Sequence, residues 1–503
     1  MKKFYLLLLS LLIAGALRAE SVLNLTISGF PARLNPLLAT DSVSAEISDY
    51  LFEGLVKYDK DANVVGEIAE SWEFIDDRAI VFKLREDRYW HDGKKVTAQD
   101  ALFTYQTAIS DRVSSPYASN FRAVEKVEVL NDFTLKVTYK TPYFKALETW
   151  MMPLIPKHIL ENDLDLMTST FNSRPIGNSY FRIDELSISK NIELKAFKDF
   201  KPRAPFIDKV VFEYIQDASV QFLKLKSRQI HIGSLDALQA DRQIDAKFRE
   251  DFRIVETSSL TYTYLGFNLK NPKFAEPKLR EALSLAIDRQ ELIDILFFGH
   301  GKICTQPILE GALGFNPTIA PVKQDISRAK TLLAELGYTA RNPLKITIST
   351  NANSPIRNYA AEIIQQQLAK AGVIVKIRST EWQAFLTRLN ARDFEVILMG
   401  WSVPLMPDPY TIWHSKSDFK GGFNMVGYKN DEVDRLIELS QKTSDRAEVA
   451  RIFSEFSAIV ARDNPYLFLY APNSIAAISR KLSPIEPTAI GFGHNRFDWR
   501  IEP

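Results

Sequence analysis

Leu344–Gly400 reads LKITISTNANSPIRNYAAEIIQQQLAKAGVIVKIRSTEWQAFLTRLNARDFEVILMG. Three apolar, β-branched runs, Leu344–Ile348, Val373–Arg378 and Val396–Met399, are separated by two segments of helical spacing. Asn358–Ala371 is the first, stopped by Gly372, and Trp382–Asn390 is the second. Strands that alternate with helices predict an open α/β sheet. The pattern continues outward. Lys278–Phe298 carries apolar residues at Leu279, Ala282, Leu283, Ala286, Ile287 and Ile293, the spacing of one helix ending at Gly299, and Ser327–Leu336 ends at Gly337. Toward the N-terminus, Arg78–Leu84 and Phe133–Tyr139 alternate apolar and polar residues as half-buried strands do, and Val210–Ile215 reads as another strand. Thr97–Ala108 has a Thr cap and an acid in its first turn, Asp100, ahead of an amphipathic run.

Ligands of open α/β sheets lie beyond the carboxyl ends of strands, in the crevice between lobes. After Met399 the chain runs Gly400-Trp401-Ser402-Val403-Pro404-Leu405-Met406-Pro407-Asp408-Pro409-Tyr410. Glycine, prolines around an acid, and aromatics make a stiff, partly apolar wall with polar points, which suits a small organic ligand. The same composition equally describes a buried tryptophan and a helix N-cap at Asp408.

The chain has 503 residues, with 63 Lys+Arg against 62 Asp+Glu. Its net charge of +1 offers no basic footprint for nucleic acid. Hydrophobic residues at 46% and charged ones at 25% are ordinary for globular proteins, and the length predicts two or three lobes. Lys2 and Lys3, the apolar run Phe4–Ile13 and the small residues Ala14, Gly15, Ala16 and Ala19 have the layout of a cleavable secretory signal. Cleavage is expected after Ala19, with Ala16 as the alternative; the run is short for a membrane anchor. The single Cys304 excludes an internal disulfide and a cysteine metal site, and no cysteine follows the signal for acylation. The expected location is the periplasm. The six histidines, His91, His158, His231, His300, His414 and His494, show no metal-ligand spacing. No Gly-x-Ser-x-Gly elbow, phosphate loop, dinucleotide fingerprint or paired glycosidase carboxylates stand out, so neither an enzyme nor a cofactor is expected.

Several runs resemble the family 5 extracellular solute-binding proteins, the dipeptide, oligopeptide and nickel-binding group. They are Leu51-Phe52-Glu53-Gly54-Leu55-Val56, Ile68-Ala69-Glu70-Ser71-Trp72, Phe82-Lys83-Leu84-Arg85, Trp90-His91-Asp92-Gly93-Lys94 and Val96-Thr97-Ala98-Gln99-Asp100-Ala101. Asp208-Lys209-Val210-Val211-Phe212, Gly266-Phe267-Asn268, Arg280-Glu281-Ala282-Leu283, Ala286-Ile287-Asp288-Arg289 and Gly421-Gly422-Phe423-Asn424 extend the likeness over nearly the whole chain. The resemblance implies a periplasmic-binding-protein-like α/β fold of type II (cluster C) kind: two hinged lobes with an inserted third domain. Residues 20–48, 176–258 and 474–503 are expected to form lobe I, 49–175 the inserted domain and 259–473 lobe II. The implied function is capture of short peptides by a monomer and their delivery to the permease subunits of an ABC importer. A nickel-chelate or other non-peptide binder on the same fold is the alternative, and a secreted hydrolase a more distant one.

Carried over by position, Gly400, Trp401 and Ser402 match the family's Gly-Trp segment, which lines the ligand cleft. Tyr117 resembles a ligand-facing tyrosine of the inserted domain, and it reads equally as a surface-loop aromatic. The aspartate that meets a peptide ammonium just after the Gly-Trp pair is missing, since Val403 and Pro404 stand there. Asp408 is the nearest carboxylate, either as that anchor or as a helix cap, and Arg357 is the nearest arginine for a ligand carboxylate.

Overall fold

The structure is a computed structural model describing residues 20–502, apart from 40, 111, 112, 114, 116, 164, 188, 189, 420, 421, 489 and 490. The expected signal segment and Gly421 of the Gly-Gly-Phe-Asn run lie outside the described residues.

The architecture is organised around one long strand, Tyr466–Ser479. Its first part pairs antiparallel with Thr261–Phe267 (Tyr466 opposite Gly266), and its last part with Phe252–Ser258 (Ser479 opposite Phe252) and Ile232–Leu235. Beyond Thr261–Phe267 the sheet continues through Val396–Ser402, Lys345–Asn351 and Ile374–Thr380, the last three mutually parallel. Parallel strands need helical crossovers and are covered on both faces, so their side chains divide between two cores. Along Val396–Ser402, Val396 and Leu398 face one core and Ile397 and Met399 the other. Helices Pro277–Leu285, Arg289–Phe297, Ile326–Glu335 and Pro355–Lys370 cover the first face. Trp382–Asn390, Asp431–Ser440 and Arg446–Asp463 cover the second.

The other half of the chain holds a sheet in which Val22–Ile27 pairs parallel with Lys209–Tyr214, followed by the antiparallel strands Asn191–Ala196 and Phe181–Ser187. A separate antiparallel sheet runs in the order Ala69–Phe74, Ala79–Leu84, Thr134–Tyr139, Val124–Asn131. Its Ile80, Phe82 and Val137 belong to the same core as Leu23, Val210 and Phe212, so these two sheets pack as one body. The chain passes from that body to the second half between Ser258 and Thr261 and returns along the long strand.

Most expected elements are present with shifted ends. Thr97 starts the helix Ala98–Ala108, and the Asp100 carboxylate accepts the Thr97 backbone N–H at 2.9 Å. Pro355 and the Ser354 cap begin the helix Pro355–Lys370 earlier than Asn358. Two expectations are corrected. Lys278–Phe298 is two helices, because Asp288 caps a new one by accepting Glu291 N–H at 3.0 Å, while buried Arg289 donates to the Ser284 carbonyl at 3.2 Å. Gly400–Ser402 belong to a strand rather than a loop, since the ladder with Thr261–Phe267 continues through Trp401 opposite Tyr262 to Ser402 opposite Thr261.

Candidate functional site

A cavity of about 900 Å3 opens beside the long strand, walled by Ser474–Ala476, Thr257, the helix Ser42–Leu51, the strand Val56–Tyr58 and Glu67. That volume is near the top of the range of about 300–1,000 Å3 usual for small-ligand sites. Its lining mixes hydroxyls such as Thr26, Ser42 and Ser234 with charged side chains of both signs.

Glu46 and Asp49 are three residues apart on the helix and therefore share a face. Asp49 exposes 59% of its side chain, yet the concave wall takes bulk water from both carboxyls and raises them; Arg496 opposes the rise from 3.9 Å. Arg496 also lies over the Tyr50 ring at 4.8 Å, and burial pushes that phenol up to about 12. Deeper in, Lys57 and Glu67 pair at 3.3 Å. Glu67 accepts the Gly54 N–H at 3.0 Å, while the fully enclosed Glu53 faces Arg88 at 3.6 Å. Burial raises the carboxyls of Glu53 and Glu67, and for Glu53 the neighbouring Glu67 adds to it. Burial would lower the Lys57 ammonium, but Glu67 and Glu53 hold it above its ordinary value.

The second half contributes Gly400–Ser402, at the carboxyl end of their strand. A methyl on Gly400 would stand 2.8 Å from the Tyr262 carbonyl oxygen of the paired strand and 3.6 Å from the Arg357 guanidinium. Glycine thus keeps this edge open beside Arg357, whose Nη1 donates to Asn351 Oδ1 at 2.7 Å. Trp401 donates its indole N–H to the Tyr466 hydroxyl at 3.4 Å and meets Phe423 edge-on at 5.6 Å. Trp401, Ser402, Asp408 and Phe423 line a hollow of about 250 Å3 separate from the larger cavity.

Asp408 accepts the Tyr410 backbone N–H at 3.1 Å, at the start of the short helix Tyr410–Trp413. Its charge also acts on Tyr143 and Lys145 of the segment that follows the strand Thr134–Tyr139. Tyr117 is half-buried and donates its hydroxyl to the Ala39 carbonyl, and it lines neither hollow. Of the five residues singled out from sequence, Trp401, Ser402 and Asp408 share one wall, Gly400 precedes Trp401 in the strand, and Tyr117 is in the lining of neither hollow.

Cys304 is buried, and its thiol is pushed up to about 12, far from a reactive thiolate. Among the described residues no group of three or more His, Cys, Asp and Glu is arranged to hold a metal, and no helix is long and apolar enough to cross a membrane.

Two α/β halves joined at paired crossings beside a large cleft define a hinged, two-lobed binding protein. The model of bacterial extracellular solute-binding proteins, family 5 Middle, matches residues 63–423. This chain belongs to that family. It is 32% identical over 476 residues to the oligopeptide-binding protein AppA of Bacillus subtilis, covering 90% of this chain and 87% of the relative. It is 25% identical to the probable D,D-dipeptide-binding periplasmic protein DdpA of Escherichia coli, covering 90% and 89%. The solved structure of AppA from B. subtilis in complex with a nonapeptide superposes with a TM-score of 0.79 at 29% identity, over 96% of this chain and 100% of that one. NikZ from Campylobacter jejuni in complex with Ni(L-His) superposes with a TM-score of 0.80 at 25% identity, over 95% and 99%.

Proposed function

We propose that this protein captures short peptides outside the inner membrane and delivers them to the permease of an ABC importer. The observation that carries this reading is the cavity of about 900 Å3 beside two chain crossings, in a chain related to oligopeptide binders along most of its length. The lobes divide at 258/259 and 473/474, with 49–175 riding on lobe I. Ligand contacts to both lobes favour the closed form, and closure removes water and strengthens each polar contact. Every residue that lines the large cavity lies in lobe I or the inserted domain; lobe II contributes the separate hollow of Trp401 and Ser402, with Gly400 beside it, where Arg357 receives a ligand carboxylate. We read Tyr117 and Asp408 as residues that hold the walls in place, because Ala39, Tyr410 and Lys145 already engage them. Binding proceeds without turnover, and the N-terminal segment directs export to the periplasm and is removed.

The test is thermal denaturation with graded di- to nonapeptides and, separately, Ni(L-His). A peptide at a hundredfold excess over Kd adds about 2.7 kcal/mol. A shift with Ni(L-His) and none with any peptide would replace the peptide reading by a chelate one.

A further inference from the structure

The two lobes also meet far from the hinge crossings. Phe144, from the inserted domain, is 5% exposed and sits in the core of lobe II, edge-on to Phe453 at 5.7 Å. Around it, Glu148 forms an ion pair with Arg446, and Thr141 Oγ1 donates to the Gln441 carbonyl at 3.4 Å. Arg122 stands over the ring of Tyr410 at 5.9 Å, and Asp408 accepts the Tyr410 N–H at 3.1 Å. One Glu148 oxygen is buried with no hydrogen-bond partner, so separation of the lobes would return both that oxygen and the Phe144 ring to water. Elsewhere, an apolar groove of about 700 Å3 is lined by Leu235 and Leu238 of lobe I, by Phe298, Ile356 and Tyr359 of lobe II, and by Pro472.

We propose that the segment 141–148 is a clasp by which the inserted domain holds lobe II shut in the absence of ligand. The inserted domain shares its core with lobe I, so a contact from it to lobe II joins the two moving bodies directly. Binding energy is then not needed to create the closed form, only to favour it further, and the clasp must release for ligand to enter or leave. Asp408 joins this clasp through Tyr410, whose N–H it accepts and whose ring lies beneath Arg122. The proposal rests on the hinged-binder reading but not on which ligand is bound.

The experiment uses full-length protein stripped of ligand by unfolding and refolding, compared as wild type, Phe144→Ala and Glu148→Gln. Small-angle scattering gives the radius of gyration, and amide exchange reports on 141–148 and 441–453. Both variants should be larger than wild type and lose protection in those two segments. A fluorescein-labelled random nonapeptide should leave either variant at least about tenfold faster, since the closed state has lost a contact that the open state never had. Wild-type scattering that already fits separated lobes would overturn the clasp. So would folded variants of unchanged radius, even with a lowered melting temperature, because ordinary packing would cost stability without opening the protein. Failure of the nonapeptide to bind wild type would count against the peptide reading and leave the scattering result to decide the clasp.

Discussion

His91→Gln tests the packing of His91 against the segment Gly177–Ser179. The Gly177 N–H donates to His91 Nδ1 at 3.1 Å, and Nε2 lies 2.9 Å from the Ser179 carbonyl. Nδ1 is therefore unprotonated and Nε2 carries the hydrogen, the neutral tautomer. Adding a proton would set an N–H against the Gly177 N–H in a site closed to water, and burial pushes the imidazole down from 6.5 to about 4. Between those values the unfolded chain binds the proton and the folded one does not. The stability due to neutral His91 is complete above pH 6.5 and is lost as pH falls toward 4. At about 1.36 kcal/mol per pH unit the whole loss is about 3 kcal/mol. Glutamine keeps a donor, does not titrate and loses one of the two hydrogen bonds, so at pH 7 the variant should be less stable by about 1–3 kcal/mol. Urea unfolding of both proteins at pH 7, 6, 5 and 4 yields the difference at each pH, in which other titrating groups such as Glu53 and Glu67 largely cancel. The gap should narrow by about 3 kcal/mol from pH 7 to 4. A gap that stays constant or widens on acidification would refute the neutral, buried histidine.

Two further outcomes concern the cleft. Gly400→Ala forces a methyl against the Tyr262 carbonyl of a paired strand, and overpacking of that kind costs about 1–3 kcal/mol; denaturant unfolding should show that loss, with weakened peptide binding by calorimetry. Asp408→Asn should weaken free and N-acetylated peptides by the same factor if Asp408 serves the clasp, and calorimetry that finds only the free peptide affected would restore it as the ammonium anchor.

How much was legible depended on how local the determining contact is. Leu344–Met399 declared its strands and helices because Gly372 and the apolar periodicity are neighbours in sequence. The break at Asp288 was hidden, since Ala286 and Ile287 keep the helical apolar rhythm up to the residue that caps the next helix. Gly400–Ser402 interrupt the apolar run and so read as loop; their strand character comes from Thr261 and Tyr262, more than a hundred residues away. The charged cavity wall was illegible for the same reason, because Arg496 joins Glu46 and Asp49 from the opposite end of the chain. Phe144 carries no local sign that its ring belongs to the core of Tyr264, Ile397 and Phe453, far along the chain.

The central claim, peptide capture, is tested most directly by native mass spectrometry of the protein purified from its host without denaturation. A closed cleft retains its ligand, and collisional release identifies what was held. The expected result is a ladder of added masses that fragment as short peptides of varied sequence. A single added mass carrying a nickel isotope pattern, or a non-peptide solute in every preparation, would contradict it.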